Sequence, residues 1–324
     1  MLTLSTRTTI RVPATTANLG PGFDCLGLAL DLHNEFAFEI LSENEGQFVE
    51  SEGFGAGVLP ADRTNLVVRA FNAVFERLEA PAPGLRLRAR NRFPIGSGLG
   101  SSGSAIAAGV LAALRFAGAG PDRLDPVAIA VEIEGHPDNV SAAFLGGLTV
   151  SIVAGGRTRS VKAPVAPGWR VGVVVPEIEI TTAAMRAALP DRVAFTDAVF
   201  NLGRTALVTL AFSKGETGLL RDAMEDRLHQ PVRLPLIPGA VEALDAARGT
   251  GAAASLSGAG PGLIAFSTDE DAVREAVRKM EAVFAGRSMK SWMWVGNISE
   301  RGCEEVTVTG GSESHRGGDS HLGE

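Results

Sequence analysis

The chain has 324 residues, 45% of them hydrophobic and 21% charged, the proportions of an ordinary soluble globular protein built as one large domain or two smaller ones. A net charge of −7 excludes sequence-independent attraction to nucleic acid or acidic membrane, although Arg-rich patches remain compatible with it. No charge-free apolar run reaches the roughly 18 residues of a membrane span, and the two cysteines, Cys25 and Cys303, form no C-x-x-C pair, offer no metal site and fit a reducing cytoplasm.

The amino end, MLTLSTRTTIRVPA, has no apolar stretch behind a basic start and does not read as a signal peptide. TTIRVP and FAFEIL (Phe36 to Leu41) alternate, which predicts strands joined by a Gly-rich loop. TNLVVRAFNAVFERL places Leu66, Val67, Ala70, Phe71, Val74, Phe75 and Leu78 on one helical face. GLRLRARNRF alternates Leu or Ala with Arg, a half-exposed strand. SAIAAGVLAALRF is apolar nearly all round, a buried helix. Asp125 and Pro126 open another helix as N-cap and first residue, Gly135 ends it, and DNVSAAFLGG predicts a short helix closed by glycines. LTVSIV follows as a strand. The Gly-, Pro- and base-rich stretch 156–168 predicts a domain boundary. In the second half VGVVV, GLIAFS and WMWVGNI read as strands; helices are expected near 182–189, 195–212, 216–228 and 239–247, with an amphipathic one at DEDAVREAVRKMEAVF. Strands and helices mix without strict alternation, so the fold class is α+β. The expected units are 1–160 and 161–309, followed by a disordered polar tail, 310–324, whose His315 and His321 read as solvated rather than metal-binding.

PIGSGLGSSGSA (Pro94 to Ala105) contains Gly98, Gly100 and Gly103 in G-x-G-x-x-G spacing, the dinucleotide fingerprint. Its context argues against a dinucleotide. The preceding strand carries Arg86, Arg88, Arg90 and Arg92 on one face, and the acids downstream, Asp122 and Asp125, lie in a loop with no strand before them. No Gly-Lys-Ser/Thr exists, which excludes a Walker A loop. What remains is a Gly- and Ser-rich loop running into a buried helix, whose free N–H groups and dipole suit an anion without help from lysine. A phosphate there needs a cation, and Mg²⁺ is the usual one. Glu134, in the last turn of its helix where the dipole disfavours a carboxylate, is one candidate ligand, and Glu132 competes with it.

Four segments carry a resemblance. PATTANLGPGFDCLG (Pro13 to Gly27), PIGSGLGSSGSA, EGHPDNVSAAFLGG (Glu134 to Gly147) and SLSGAGPGLIAF (Ser255 to Phe266) resemble, in order, motifs of the GHMP-superfamily small-molecule kinases; ANLGPGFD and HPDNV narrow the likeness to the homoserine kinases. The resemblance implies a two-domain fold with the active site between the domains. It also implies transfer of the ATP γ-phosphoryl to the hydroxyl of L-homoserine in threonine biosynthesis, in the cytoplasm, with a homodimer as an expectation. It assigns ATP to Pro94, Ile95, Gly96, Ser97, Gly98, Leu99, Gly100, Ser101, Ser102, Gly103 and Ser104, with Asn65 near the adenine, and Mg²⁺ to Ser102 and Glu134. Homoserine is a zwitterion: Asp24 suits its ammonium, and Arg186 and Arg233 suit its carboxylate. Thr182 shares a helix face with Arg186, and Asn18 and Asn139 would hold the hydroxyl or ammonium. Taken alone, the same residues also fit turn caps, helix caps and surface charges. His136 joins the site without an assigned role, and Asp138 is the candidate base. Where mevalonate- and galactose-type kinases carry Lys, this chain has Thr15 or Thr16, so positioning and charge stabilisation are expected to carry the reaction.

Overall fold

The computed structural model describes residues 6–42, 45–120 and 122–306. The elements run β1 (Arg7–Asn18), β2 (Gly22–Leu41), β3 (Gln47–Gly53), α1 (Leu66–Arg77), β4 (Gly84–Asn91), α2 (Ser101–Ala117), α3 (Pro126–Glu134), α4 (Asp138–Leu145), β5 (Leu148–Ala154) and β6 (Arg157–Ala163). They continue with β7 (Arg170–Pro176), α5 (Thr182–Ala187), α6 (Phe195–Lys214), α7 (Thr217–Ala223), α8 (Gln230–Arg233), α9 (Ala240–Arg248), β8 (Ala253–Leu256), β9 (Leu263–Ser267), α10 (Glu270–Ala285), β10 (Ser291–Asn297) and β11 (Glu304–Val306).

The twenty-residue β2 is the spine of the first sheet. It pairs antiparallel with β1 along its length, with β4 through Glu35–Leu41, and with β5 through Leu26–Leu28. Buried Leu85, Leu87 and Ala89 alternate on β4 with exposed Arg86, Arg88 and Arg90, the half-exposed strand that the pattern predicts. Asp125 caps α3 by accepting from the N–H groups of Val127 (2.9 Å) and Ala128 (3.2 Å), and Gly135 closes that helix in the left-handed conformation. A second sheet, in the order β10-β7-β9-β8, carries α9 and α10. Of the three apolar cores among the described residues, the middle one draws Leu26, Phe93 and Leu99 from the first half and Val173, Phe212 and Phe266 from the second, so the halves share a core.

Three expectations need correction. The stretch 156–168 is no linker at its start: Gly155 and Gly156, both at positive φ, make a tight hairpin, and β6 pairs antiparallel with β5. The expected division at 160/161 therefore falls inside β6, which was hidden because its outward residues are Arg and Lys rather than an apolar alternation. At the far end β11 returns to pair with β1, so residues 304–306 belong to the first sheet. The helix expected over 216–228 stops at Ala223, because the Asp226 carboxylate accepts from the N–H groups of Leu228, His229 and Gln230 and starts α8 instead. The tail 310–324, with His315 and His321, lies outside the described residues.

Three backbone segments interlock where the halves meet. Gly262 N donates to Ser97 O (3.0 Å), Gly258 N to Ala17 O (3.2 Å) and Thr15 N to Leu99 O (3.1 Å). Gly98 sits at φ 79°, and a Cβ there would collide with the Ser257 carbonyl; Gly96, at φ 67°, faces open space. Gly96→Ala should therefore cost only the left-handed penalty of about 1–2 kcal/mol, whereas Gly98→Ala adds a backbone collision and should cost clearly more. Paired urea titrations measure this; equal losses would show that the interlock is slack.

Candidate active site

A cavity of about 420 Å³ opens between the two halves. Its floor is the start of α2. Gly100, the N-cap, is left-handed and supplies no side-chain acceptor, so the helix opens with unfilled N–H donors beside the hydroxyls of Ser101 and Ser102. α2 is 17 residues long, and its dipole adds partial positive charge at this end. Among the expected phosphate-loop residues, Ile95, Gly96, Ser97, Gly98, Gly100, Ser101 and Ser102 line the cavity. Pro94, Leu99, Gly103 and Ser104 do not. Leu99 is core, Gly103 packs against Asn139 and Val140, and the Ser104 hydroxyl faces the interior, 3.4 Å from the Asn34 amide. Pro94 contributes only its carbonyl, which accepts from Ser97 Oγ at 2.6 Å. These four help build the loop, and the other seven face the cavity.

At one end of the cavity Leu59, Pro60 and Ile95 make an apolar wall beside Asn65. Both polar atoms of the Asn65 amide have a protein partner: Oδ1 caps α1 by accepting from Val67 N (3.0 Å), and Nδ2 donates to Pro60 O (2.8 Å). Its part is to shape the wall. Leu59 and Pro60 were not singled out from sequence, since nothing marks an apolar pair in a loop as a binding wall.

Glu134 ends α3 directly across from α2. Ser102 Oγ donates to Glu134 Oε1 at 2.5 Å, and burial pushes the Glu134 carboxyl above the usual carboxylate range, with the Ser102 bond and the charge of His136 opposing the shift. Glu132, the competing candidate, instead forms an ion pair with Arg77 on the outside of the helix. A half-buried carboxylate touching a hydroxyl at an anion-binding helix start is a pair of hard oxygen donors, a set that fits Mg²⁺. Among the described residues no cluster of three acidic, His or Cys ligands exists, so no all-protein metal cage competes with that arrangement.

The opposite end is strongly charged. Arg186 on α5 forms a bidentate pair with Asp24 at 2.9 and 3.0 Å, and that bond raises the pKa of the guanidinium. Asp24 sits at φ 52°, just past the tight turn between β1 and β2, and Asn18 at φ 68°; Asp and Asn tolerate this left-handed backbone. Arg233 is only 1% exposed yet lines the cavity, and Phe23 lies between the two guanidinium groups, 5.5 Å from Arg186 and 5.2 Å from Arg233. Thr182 lines the cavity one turn before Arg186, while its neighbour Thr181 is the residue that caps α5.

Between the two ends, the start of α4 brings in His136, Asp138 and Asn139. Asp138 Oδ1 accepts from His136 Nδ1 (2.9 Å) and from Asn139 N (2.8 Å), and the first of these bonds raises the His136 pKa, favouring the imidazolium. Asn139 Oδ1 accepts from Thr15 Oγ1 at 2.8 Å. The Asn18 amide also bridges backbone, donating to Gly258 O (2.8 Å) and accepting from Asp24 N (3.1 Å). Thr16, one of the two threonines that stand where other GHMP kinases are expected to carry lysine, is buried and donates to Ser257 Oγ at 2.9 Å, whose own proton goes to Gly98 O.

The GHMP kinases N terminal domain matches residues 65–147 and the GHMP kinases C terminal domain matches residues 209–286. A homoserine kinase of Clavibacter michiganensis is 44% identical over 81% of this chain and 83% of its own length; one of Moorella thermoacetica is 40% identical over 87% and 94%. Among solved structures, homoserine kinase from Cytophaga hutchinsonii superposes with a TM-score of 0.85 at 28% identity, covering 94% of this chain and 99% of that one. A mevalonate kinase of Leishmania major, at 17% identity and TM-score 0.60 over 90% and 95% of the two chains, shares the fold. Identity of 40–44% over most of both lengths, together with the two domain matches, shows that the chain belongs to the homoserine kinase family of the GHMP kinases.

Proposed function

We propose that this chain transfers the γ-phosphoryl group of ATP to the hydroxyl of L-homoserine, giving O-phospho-L-homoserine on the route to threonine. One observation carries the reading: a single cavity joins an anion-binding helix start to a carboxylate flanked by two arginines, the complement of an amino-acid zwitterion. The apolar wall at Leu59, Pro60 and Ile95 suits the adenine, and the N–H groups opening α2 suit the phosphates. Ser102 and Glu134 would hold Mg²⁺, which when bound supplies neutralising charge to the phosphates.

Asp24 would release Arg186 to take the homoserine ammonium, freeing that guanidinium and Arg233 for the carboxylate. The acceptor hydroxyl then lies near Asp138. Asp138 Oδ1 already accepts from His136 Nδ1, Asn139 N and Asn139 Nδ2, so this carboxylate serves to hold and orient donors more readily than to abstract a proton. Phosphoryl transfer through a loose transition state requires little base assistance. Ammonium, carboxylate and hydroxyl together disfavour mevalonate-type alcohols, which lack an ammonium for Asp24.

A second copy of the chain as partner rests on α6. Its outward face exposes Phe195 (84%), Val199 (52%), Leu202 (71%) and Leu210 (49%). The order Val199, Leu202, Gly203 followed by Ala206, Leu207, Leu210 reads nearly the same from either end, as a two-fold antiparallel helix pair requires. No helix among the described residues is long and apolar enough to cross a membrane. A cytoplasmic location accords with the two free cysteines.

In a coupled ADP-release assay, homoserine should support turnover and mevalonate should not; the reverse result overturns the assignment. Asp138→Asn should lose less than about a hundredfold in kcat, whereas loss of a true general base costs about 10²–10⁴. Leu202→Asp should convert a sedimenting dimer to monomer, and a parent chain that is already monomeric contradicts the α6 pairing.

A further inference from the structure

Behind Arg233 lies a buried polar cluster that phosphoryl transfer itself does not use. His229 is 1% exposed, and its Nε2 lies 2.7 Å from Gly20 O, in the turn between β1 and β2. A carbonyl oxygen only accepts, so Nε2 carries the proton and Nδ1 keeps a lone pair. Burial pushes the imidazole pKa below its ordinary value, which holds the ring neutral. That lone pair faces Arg233 Nη1 at 3.5 Å.

The rest of the guanidinium is placed just as deliberately. Arg233 Nε donates to Met185 O at 3.2 Å, and the Phe23 ring that it faces also lies against the His229 ring, with centroids 5.3 Å apart. Nε and Nη1 thus each point into protein. Nη2 has no acceptor among the described residues, and Arg233 lines the cavity. The partner's charge matters here. A carboxylate behind Arg233 would neutralise it, whereas a neutral imidazole accepts a hydrogen bond and leaves the positive charge intact. Asp226, the fully buried acid of this cluster, is kept occupied: it accepts from Asn201 Nδ2 (2.7 Å) and from the N–H groups of Leu228 (2.9 Å), His229 (3.0 Å) and Gln230 (2.6 Å).

We propose that His229 is a positioning residue for acceptor selection: locked by Gly20 O with its proton on Nε2, it turns Arg233 so that Nη2, engaged in no ion pair, meets the carboxylate of the amino-acid acceptor. The inference rests on the reading of Arg233 as a carboxylate-binding residue.

The test is steady-state kinetics on His229→Gln, His229→Asn and His229→Leu with two acceptors, homoserine and 3-aminopropan-1-ol, which is homoserine without its carboxylate. Gln places its amide N–H toward Gly20 but offers nothing at Nδ1; Asn restores an acceptor at the Nδ1 position. His229→Gln and His229→Leu should raise the homoserine KM about tenfold, the size of one hydrogen bond to a charged group. The KM for ATP and kcat should stay within about twofold of the parent, and His229→Asn should recover most of the loss. With 3-aminopropan-1-ol all variants should match the parent. Equal losses on both acceptors, a fall in kcat at constant KM, or an unchanged homoserine KM each overturn the proposal. If His229→Leu fails to fold, the contrast between Gln and Asn decides. Arg233→Gln is the control for the underlying reading: an unchanged homoserine KM there removes the carboxylate assignment itself, whereas a raised KM alongside silent His229 variants removes only the role of His229.

Discussion

Main chain from three distant parts of the sequence meets at hydrogen-bond distance beneath the cavity. Ser257 Oγ donates to Gly98 O at 2.7 Å, Gly262 N reaches Ser97 O, and Gly258 N reaches Ala17 O. Contacts this close are open only to residues without a Cβ: at Gly262 a side chain would strike the Ser97 carbonyl, and at Gly98 the Ser257 carbonyl. The consequences run outward. The phosphate loop is held by the second half of the molecule, the Asn18 turn is held by Gly258, and Asp24 is aimed by Asn18. The glycines at this junction thus act less as flexible hinges than as points of close approach that bring the two ends of the cavity into one frame.

Charge is distributed along that frame without a lysine at the phosphate loop. The donors at the start of α2 and the hydroxyl of Ser102 face Glu134, whose carboxyl desolvation holds above the usual carboxylate range. At the far end Asp24 and Arg186 satisfy each other, and a zwitterion can exchange for that pair without leaving either charge stranded. Arg233 cannot be handled in this way, because it is buried. It is held by a carbonyl and a neutral ring instead, which is why its charge remains available.

How much of this was legible beforehand follows from what each signal depends on. Asp125–Pro126, Gly135 and the all-round apolar α2 are local, and they read correctly. The rejection of a dinucleotide fold also held, because the Arg face of β4 is a local alternation. Glu134 emerged from a helix-dipole argument and, unlike Glu132, faces Ser102. β6 was missed because its hairpin signal, Gly155–Gly156, was outweighed by its basic composition. Leu99, Gly103 and Ser104 were not separable from the cavity-lining residues, because a motif marks a loop, and only three dimensions show which atoms of the loop face in. Asp226, His229 and Gln230 were invisible for a related reason: their partners, Asn201, Gly20, Leu256 and Arg233, are mostly remote in sequence.

The central claim is that one cavity seats ATP at the start of α2 and an amino-acid alcohol between Asp24, Arg186 and Arg233. A crystal structure with homoserine, Mg²⁺ and a non-hydrolysable ATP analogue tests it most directly. The account predicts phosphates on the N–H groups of Ser101 and Ser102, a cation touching Ser102 and Glu134, and the Asp24–Arg186 pair opened around the zwitterion. Phosphates bound away from α2, or homoserine bound with that pair still closed, would contradict it.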